Sequence, residues 1–255
     1  MIVLALGDIV GPAACEYARG KLPGLKKRYG VEVTIANGEN SAKGNGITPK
    51  SAKYLFDSGI DVLTTGNHSF RRKEIYEAME LKNGLIRPAN YHPSAPGEGV
   101  YVYDGRTFRL CVINLQGLVY LQSLQNPFDC IDEILGGVDT PNIIVDFHAE
   151  ATAEKMCMGL YLDGRVSAVV GTHTHIPTAD ARVLPGGTGY ITDLGMCGGR
   201  NSVLGVKSEI AIRRMRTALP VRFEEEERDI VLSGAVLDID EKTGRCRGIE
   251  ALSML

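Results

Sequence analysis

Seven side chains of metal-ligating type stand beside glycines or at the ends of apolar runs. They are Asp8 in Gly7-Asp8, Glu39 and Asn40 in Gly38-Glu39-Asn40, Asn67 in Gly66-Asn67-His68, His148 after Phe147, and His173 and His175 in Gly171-Thr172-His173-Thr174-His175. Carboxylates and amide carbonyls bind hard divalent ions, whereas imidazoles suit zinc, iron, manganese or nickel. The set is too large for one tetrahedral ion and matches two. Two ions sharing a carboxylate can clamp both oxygens of an in-line displacement and generate hydroxide near neutral pH, chemistry suited to phosphate esters. His173 and His175 lie two apart, and extended backbone would turn both imidazoles to one face. A lone His-x-His is a weak signal. Here three of only five histidines follow apolar runs, with two acidic and two amide residues in matching places.

The elements that would position these groups can be read from the apolar runs. Ile2 to Leu6, Val31 to Ala36, Asp61 to Thr65, Leu110 to Leu115, Ile143 to Phe147 and Val166 to Val170 have the length and branched composition of buried strands. Pro49 to Ser58, Arg72 to Leu81 and Glu150 to Leu162 carry helical spacing between them, the alternation of an α/β protein. Five of these strands deliver a metal-competent side chain at the carboxyl edge, where open α/β sheets bind ligands. Tyr190 to Thr192, Leu219 to Glu224, Ile230 to Ile239 and Gly248 to Leu252 read as further strands joined by turns at Pro185-Gly186-Gly187 and Lys242-Thr243-Gly244, so the C-terminal third is expected to be antiparallel. The run Glu224 to Glu227 reads as a solvated turn. No repeat or linker interrupts the chain, and a single domain over residues 1–255 is the expectation.

With 44% hydrophobic and 23% charged residues, the chain has the composition of a globular protein rather than a disordered one. A net charge of -3 offers no electrostatic footprint for long nucleic acid. A small phosphorylated ligand stays compatible, because a metal site supplies local positive charge. The apolar start reaches Asp8 without a basic leader, and neither a signal peptide nor a membrane span is expected. Six scattered cysteines lack any Cys-x-x-Cys pair and read as reduced thiols of a cytoplasmic protein.

Taken in order, Asp8, Glu39, Gly66-Asn67-His68, His148 and Gly171-Thr172-His173-Thr174-His175 resemble the signature of the calcineurin-like metallophosphoesterase superfamily. The segments Asn37 to Ala42, Arg87 to Tyr91, Val112 to Gly117, Asp146 to Thr152 and Leu184 to Thr188 narrow that resemblance to its YmdB-like bacterial branch, regarded as 2′,3′-cyclic-nucleotide phosphodiesterases. The resemblance implies a four-layer α/β/β/α sandwich with mixed sheets and a dinuclear site at the loop edge. It implies one ion on Asp8, Glu39, Asn40 and His175 and another on Glu39, Asn67, His148 and His173, with Glu39 as the bridge. A hydroxide between the ions would attack phosphorus, and His68 would act as general acid toward the leaving ribose oxygen. The implied substrate is a small phosphodiester or nucleotide, and homo-oligomers are an expected partnership.

Three departures from the branch stand out. Asp8-Ile9-Val10 lacks the histidine of the wider superfamily, and Asn40 fills its place. An oxygen-richer site favours Fe or Mn over Zn. Gly-Asn-His is followed by Ser69-Phe70-Arg71-Arg72, and the loop after Asp8 reads Gly11-Pro12-Ala13-Ala14-Cys15, without an arginine. Arg71 and Arg72 are expected to begin an exposed helix, with contact to a substrate phosphate as the alternative. His92 is expected to be a loop residue, Glu150 to hold the His148 ring or cap a helix, and Cys197 to have no role. Rival readings are a phosphomonoesterase or nuclease on the same metal core, an amidohydrolase barrel, and a regulatory or RNA-associated metal-binding protein.

Overall fold

A computed structural model describes residues 1–254. The first half contains β1 (Ile2–Ile9), α1 (Gly11–Tyr29), β2 (Val33–Asn37), α2 (Pro49–Asp57), β3 (Val62–Thr64), α3 (Ile75–Met79), β4 (Val100–Asp104) and β5 (Arg109–Gln116). There follow α4 (Pro127–Leu135), β6 (Ile143–His148), α5 (Thr152–Tyr161), β7 (Ala168–Thr172), β8 (Arg182–Val183), β9 (Gly189–Ile191) and β10 (Met196–Gly199). The chain ends in β11 (Ser202–Val203), β12 (Val206–Lys207), α6 (Ser208–Thr217), β13 (Ile230–Ile239) and β14 (Cys246–Met254).

Two six-stranded mixed sheets form, in the orders β14-β13-β10-β1-β2-β3 and β4-β5-β6-β7-β9-β8. Successive side chains of a strand face opposite ways, and the core follows that alternation. Leu4 and Leu6 of β1 pack with Ala18, Leu22 and Leu55 of α1 and α2. Val3 and Ala5, which alternate with them in sequence, pack instead with Val112, Ile144 and Val170 of the second sheet. Cys111, Ile113 and Val145 turn to the outer face of that sheet, against Ile131 and Met158 of α4 and α5. Three apolar layers therefore separate four structural ones, helix, sheet, sheet and helix, as the resemblance implies. No helix of the described residues is long and apolar enough to cross a membrane.

Several expectations change. Leu219 to Glu224 forms no strand; the segment beside it makes one bridge, Val206 to Glu225. The C-terminal third is only partly antiparallel, because β9 runs parallel to β7 and β10 parallel to β1. Short strands filling gaps beside existing parallel strands leave no local signal of their direction. The helix expected over Arg72 to Leu81 contracts to Ile75–Met79. The 19-residue α1 was not anticipated; Pro23 lies inside it, and no acidic residue marks its first turn. The run Glu224 to Glu227 is not simply solvated, since Glu226 is buried against Arg228 and Glu225 accepts a hydrogen bond from the Gly44 amide.

Candidate functional site

The carboxyl ends of β1, β2 and β3 in one sheet meet those of β6 and β7 in the other. Polar groups tie these edges together across the sandwich: Thr64 donates to Asp146, and Asn37 Nδ2 lies 3.3 Å from His148 Nδ1. In the cleft so formed, ligand atoms of Glu39, His148 and His173 all lie within 4.8 Å of one another. His148 Nε2 is 3.2 Å from Glu39 Oε1, 3.0 Å from Asn67 Oδ1 and 3.0 Å from His173 Nδ1. Four donors from four different loops thus converge on one region. The second group lies beside it. Asp8 Oδ1 is 3.8 Å from His175 Nε2, and Asn40 Nδ2 is 3.3 Å from the same nitrogen.

Partners of the ring nitrogens indicate which ends are free to bind. His148 Nδ1 is 3.0 Å from Thr172 Oγ1, whose hydroxyl donates to Asp146 Oδ1 at 2.6 Å. Thr172 therefore accepts from Nδ1–H, and Nε2 is the end of the ring turned toward Glu39 and Asn67. His173 Nε2 is 3.0 Å from Glu150 Oε2, which leaves Nδ1 facing the cleft. Glu150 therefore holds His173, not His148 as expected from sequence proximity. His175 Nδ1 is 3.0 Å from the Leu204 carbonyl, with Nε2 again inward.

The two histidines also reach the cleft by a different route from the one predicted. Their φ angles are +100° and +66°, so they lie in a left-handed turn beyond β7 rather than in extended backbone. Such conformations cost free energy for residues with a Cβ and persist where surroundings enforce them. Here the His173 amide donates to Asp8 Oδ2 at 3.0 Å, and the Thr174 amide to Asp193 Oδ2 at 3.1 Å.

The electrostatics are those of a site built to hold charge. Burial raises the Asp8 carboxyl above its ordinary value, and its Oδ1 is buried without a hydrogen-bond partner. Burial would raise Glu39 too, but facing His148 and His68 hold it well below the usual carboxylate range. Burial lowers His148, yet Glu39, Asp8 and Asp146 outweigh it and lift the imidazole to about 9. His173 is pushed down to about 3, first by burial and then by charge on His148, so it stays neutral and able to ligate. A partnerless buried carboxylate oxygen, a second low-lying carboxylate and ring nitrogens turned inward fit divalent cations, which would satisfy them all and would take the place of the proton on His148.

His68 borders this cluster. Its amide donates to Glu39 Oε2 at 2.8 Å, while its Nδ1 is 3.0 Å from Asn40 Oδ1 and 3.3 Å from Glu39 Oε1. The Asn40 carbonyl thus faces His68 and its amide nitrogen faces His175, so ligation through Oδ1 would require that amide to rotate. Arg72 does not reach toward a phosphate: its guanidinium donates to the carbonyls of Lys43, Gly44 and Asn45. His92 is a loop residue bonded to Ser94, and buried Cys197 donates to the Ser233 carbonyl. Sequence reasoning missed Asn37, Asp146 and Thr172, which orient His148. Their one signal is position, at or near the ends of the strands that carry the candidate donors.

The layered fold and the donor cluster define the class, a metallophosphoesterase-type sandwich with a carboxylate, amide and imidazole centre. Within that class the chain belongs to the YmdB-like protein family, whose model matches residues 4–252. It is 46% identical over 254 residues to the 2′,3′-cyclic-nucleotide 2′-phosphodiesterase of Bacillus subtilis, covering 99% of this chain and 96% of that protein. A Thermus thermophilus protein of known structure, described as hypothetical, superposes with a TM-score of 0.94 at 36% identity, covering 100% of this chain and 99% of its own. A Mycoplasma pneumoniae structure described as a novel phosphatase gives 0.94 at 33% identity, covering 100% and 93%.

Proposed function

We propose that this chain is a metal-dependent phosphodiesterase acting on small phosphodiesters, with 2′,3′-cyclic nucleotides as its substrate class. The observation that carries the reading is the convergence of Glu39, His148 and His173 ligand atoms within 4.8 Å, beside the partnerless Asp8 Oδ1. The 46% identity to the Bacillus subtilis enzyme along nearly the whole chain supports the substrate class.

In this reading Asp8, Glu39, Asn40 and His175 hold one divalent cation, and Glu39, Asn67, His148 and His173 hold a second. Fe or Mn suits the oxygen-rich set better than Zn. When bound, the cations neutralise phosphate charge and activate water as a nucleophile near neutral pH. The protein groups do the rest. Glu39 faces both halves of the site, and Asp146 and Thr172 fix the tautomer of His148. Asn40 and Glu39 accept from His68 Nδ1, which fixes the ring with Nε2 turned away from them. From there Nε2–H can protonate the leaving ribose oxygen as the P–O bond breaks. The whole chain acts as one domain in the cytoplasm, where its six unpaired cysteines are at home, and self-associates.

A phosphomonoesterase is the second reading, favoured by the description of the Mycoplasma pneumoniae structure as a phosphatase. Assays of a 2′,3′-cyclic nucleotide, bis-p-nitrophenyl phosphate and p-nitrophenyl phosphate, with added Mn and again after chelation, separate the two. Metal-dependent cleavage of the diesters, with the monoester nearly untouched, is the expected result. Cleavage of the monoester alone would make the enzyme a phosphatase, and silence on all three with metal bound would favour a regulatory role.

A further inference from the structure

The loop from Lys43 to Gly46 has an unusual conformation. Gly44, Asn45 and Gly46 have φ values of +75°, +79° and +87°, three consecutive residues in left-handed backbone. Two glycines accept this readily and asparagine tolerates it better than most residues. The loop is held from two sides. Arg72 Nε donates to the Asn45 carbonyl at 3.0 Å, and its Nη2 donates to the Lys43 and Gly44 carbonyls at 2.7 and 3.4 Å. From the opposite side Glu225 accepts from the Gly44 amide at 2.5 Å. A Cβ on Gly46 would come within 2.9 Å of Arg72 Cγ, so the clamp and the glycine require each other.

What the clamp presents is the side chain of Asn45. Its Oδ1 accepts from the Gly46 amide at 2.6 Å, which fixes the orientation of its carboxamide. The other end, Nδ2, lies 3.4 Å from His68 Nε2. Both groups are only half-buried, at the open side of the cleft. His68 Nδ1 is already engaged by Asn40 and Glu39, so the Nε2 end of the ring lies beside Asn45 Nδ2, and with Nε2 protonated both nitrogens are donors in need of an acceptor. Two donors each about 2.9 Å from a shared oxygen, meeting there at roughly 70°, lie about 3.3 Å apart, close to the spacing found.

We propose that Asn45 is a specificity residue: its Nδ2 and His68 Nε2 form a two-donor cradle for the leaving ribose oxygen, and Arg72 is the positioning residue that holds it there. The inference rests on the phosphodiesterase reading above. In the hydrolytic step the water oxygen bonds to phosphorus, its surplus proton passes to solvent, from which His68 is later reprotonated, and the P–O bond to ribose breaks. The electron pair stays on the ribose oxygen, and His68 Nε2 gives that oxygen its proton. Asn45 keeps both amide hydrogens and stabilises the charge as it develops. A poor leaving group such as a ribose alkoxide needs this second donor. A p-nitrophenolate, stable as an anion, needs it far less.

The test compares Asn45→Gly with the parent, both loaded with Mn, on a 2′,3′-cyclic nucleotide and on bis-p-nitrophenyl phosphate. Glycine keeps the left-handed backbone and removes only the side chain. The ratio of kcat/KM for the cyclic nucleotide to that for the nitrophenyl diester should fall about tenfold, the loss of one hydrogen bond in the transition state. Arg72→Ala should lower the same ratio by releasing the loop, and Arg72→Lys, which cannot span three carbonyls, should not restore it. A ratio within twofold of the parent in Asn45→Gly would overturn the proposal. So would an equal loss on both diesters, which would place Asn45 with the shared metal core. A parent inactive on both diesters overturns the phosphodiesterase reading itself, a result distinct from either of these.

Discussion

Lys155 Nζ and Asp193 Oδ2 lie 2.6 Å apart, both side chains 1% exposed, beneath the turn that carries His173 and His175. Lys155 also donates to the Thr172 carbonyl at 2.7 Å. Asp193 accepts from the Thr174 amide and hydroxyl at 3.1 and 2.8 Å and from the Gly195 amide at 2.8 Å. The pair thus fixes the residues on both sides of His173, and Asp193 anchors the one between the two histidines.

A buried ion pair is costly to break from one side, because the remaining charge is left unpaired; losses of about 3–5 kcal/mol are usual. Lys155→Met should therefore lower unfolding stability by about that amount. Supporting groups around metal ligands matter by about 10- to 100-fold in affinity. Mn binding by Lys155→Met, measured by calorimetry at a temperature where it remains folded, should weaken within that range. Parent-like affinity would show that the turn holds its shape without the pair.

His68 contributes no atom to the convergent donor cluster, and its ring nitrogens face Asn40, Glu39 and Asn45. His68→Ala should keep its bound metal while turnover of a 2′,3′-cyclic nucleotide falls about 10²-fold or more, the usual weight of general acid catalysis. Metal content by elemental analysis beside the turnover number distinguishes the two effects. Turnover equal to the parent's would end the general-acid assignment.

The strand ends were legible because each candidate residue follows an apolar run that can only be buried, and a buried parallel strand ends where its loop reaches the sheet edge. The positions of Asp8, Asn67 and His148 at the cleft follow from this logic. The same logic misjudged His173 and His175, since period-two alternation stops at Thr172 and the left-handed turn beyond it depends on Asp8 and Asp193, distant in sequence. Arg72 and Asn45 were opaque for a related reason: 27 residues separate the guanidinium from the carbonyl it holds. Glu150 stood two residues from His148, but its partner is His173, because a strand end and the loop after it point in different directions.

Asp180 sets a pH dependence away from the donor cluster of Glu39, His148 and His173. Burial would raise its carboxyl, but hydroxyl donors Thr178 and Thr192, each at 2.6 Å, and the Thr192 amide at 3.1 Å outweigh that and hold it below its ordinary value. Its stabilising contribution is fully present above the unfolded value of 3.8 and is lost as pH falls through the lower folded value. Urea midpoints of the parent and Asp180→Asn, compared from pH 7 downward, should differ most at neutral pH and converge in acid. A gap that persists unchanged into acid would show that the carboxylate charge is not what these donors recognise.

Gly66 offers the sharpest test of how the two sheets share one site. A Cβ built there would lie 2.1 Å from His148 Cδ2 and 2.3 Å from Nε2, inside the contact distance of any real pair of atoms. The ring cannot retreat, because it is fully buried, its other nitrogen is engaged by Thr172, and Asn37 Nδ2 packs 3.3 Å from that nitrogen. Gly66→Ala must therefore push the loop bearing Asn67 and His68 away from β6. Overpacking of this kind costs about 1–3 kcal/mol, which a domain of this size can survive. A misplacement near 1 Å can cost about 10²-fold in rate. The folded variant should accordingly lose about 10²-fold in turnover on both the cyclic nucleotide and the nitrophenyl diester. That shared loss differs from the selective one expected of Asn45→Gly, since the displaced loop carries Asn67, the proposed metal donor, as well as His68, the proposed acid. Near-parental turnover in Gly66→Ala would mean that the strand-end loops can separate without disturbing the chemistry, and the close approach of Gly66 to His148 would then be packing alone.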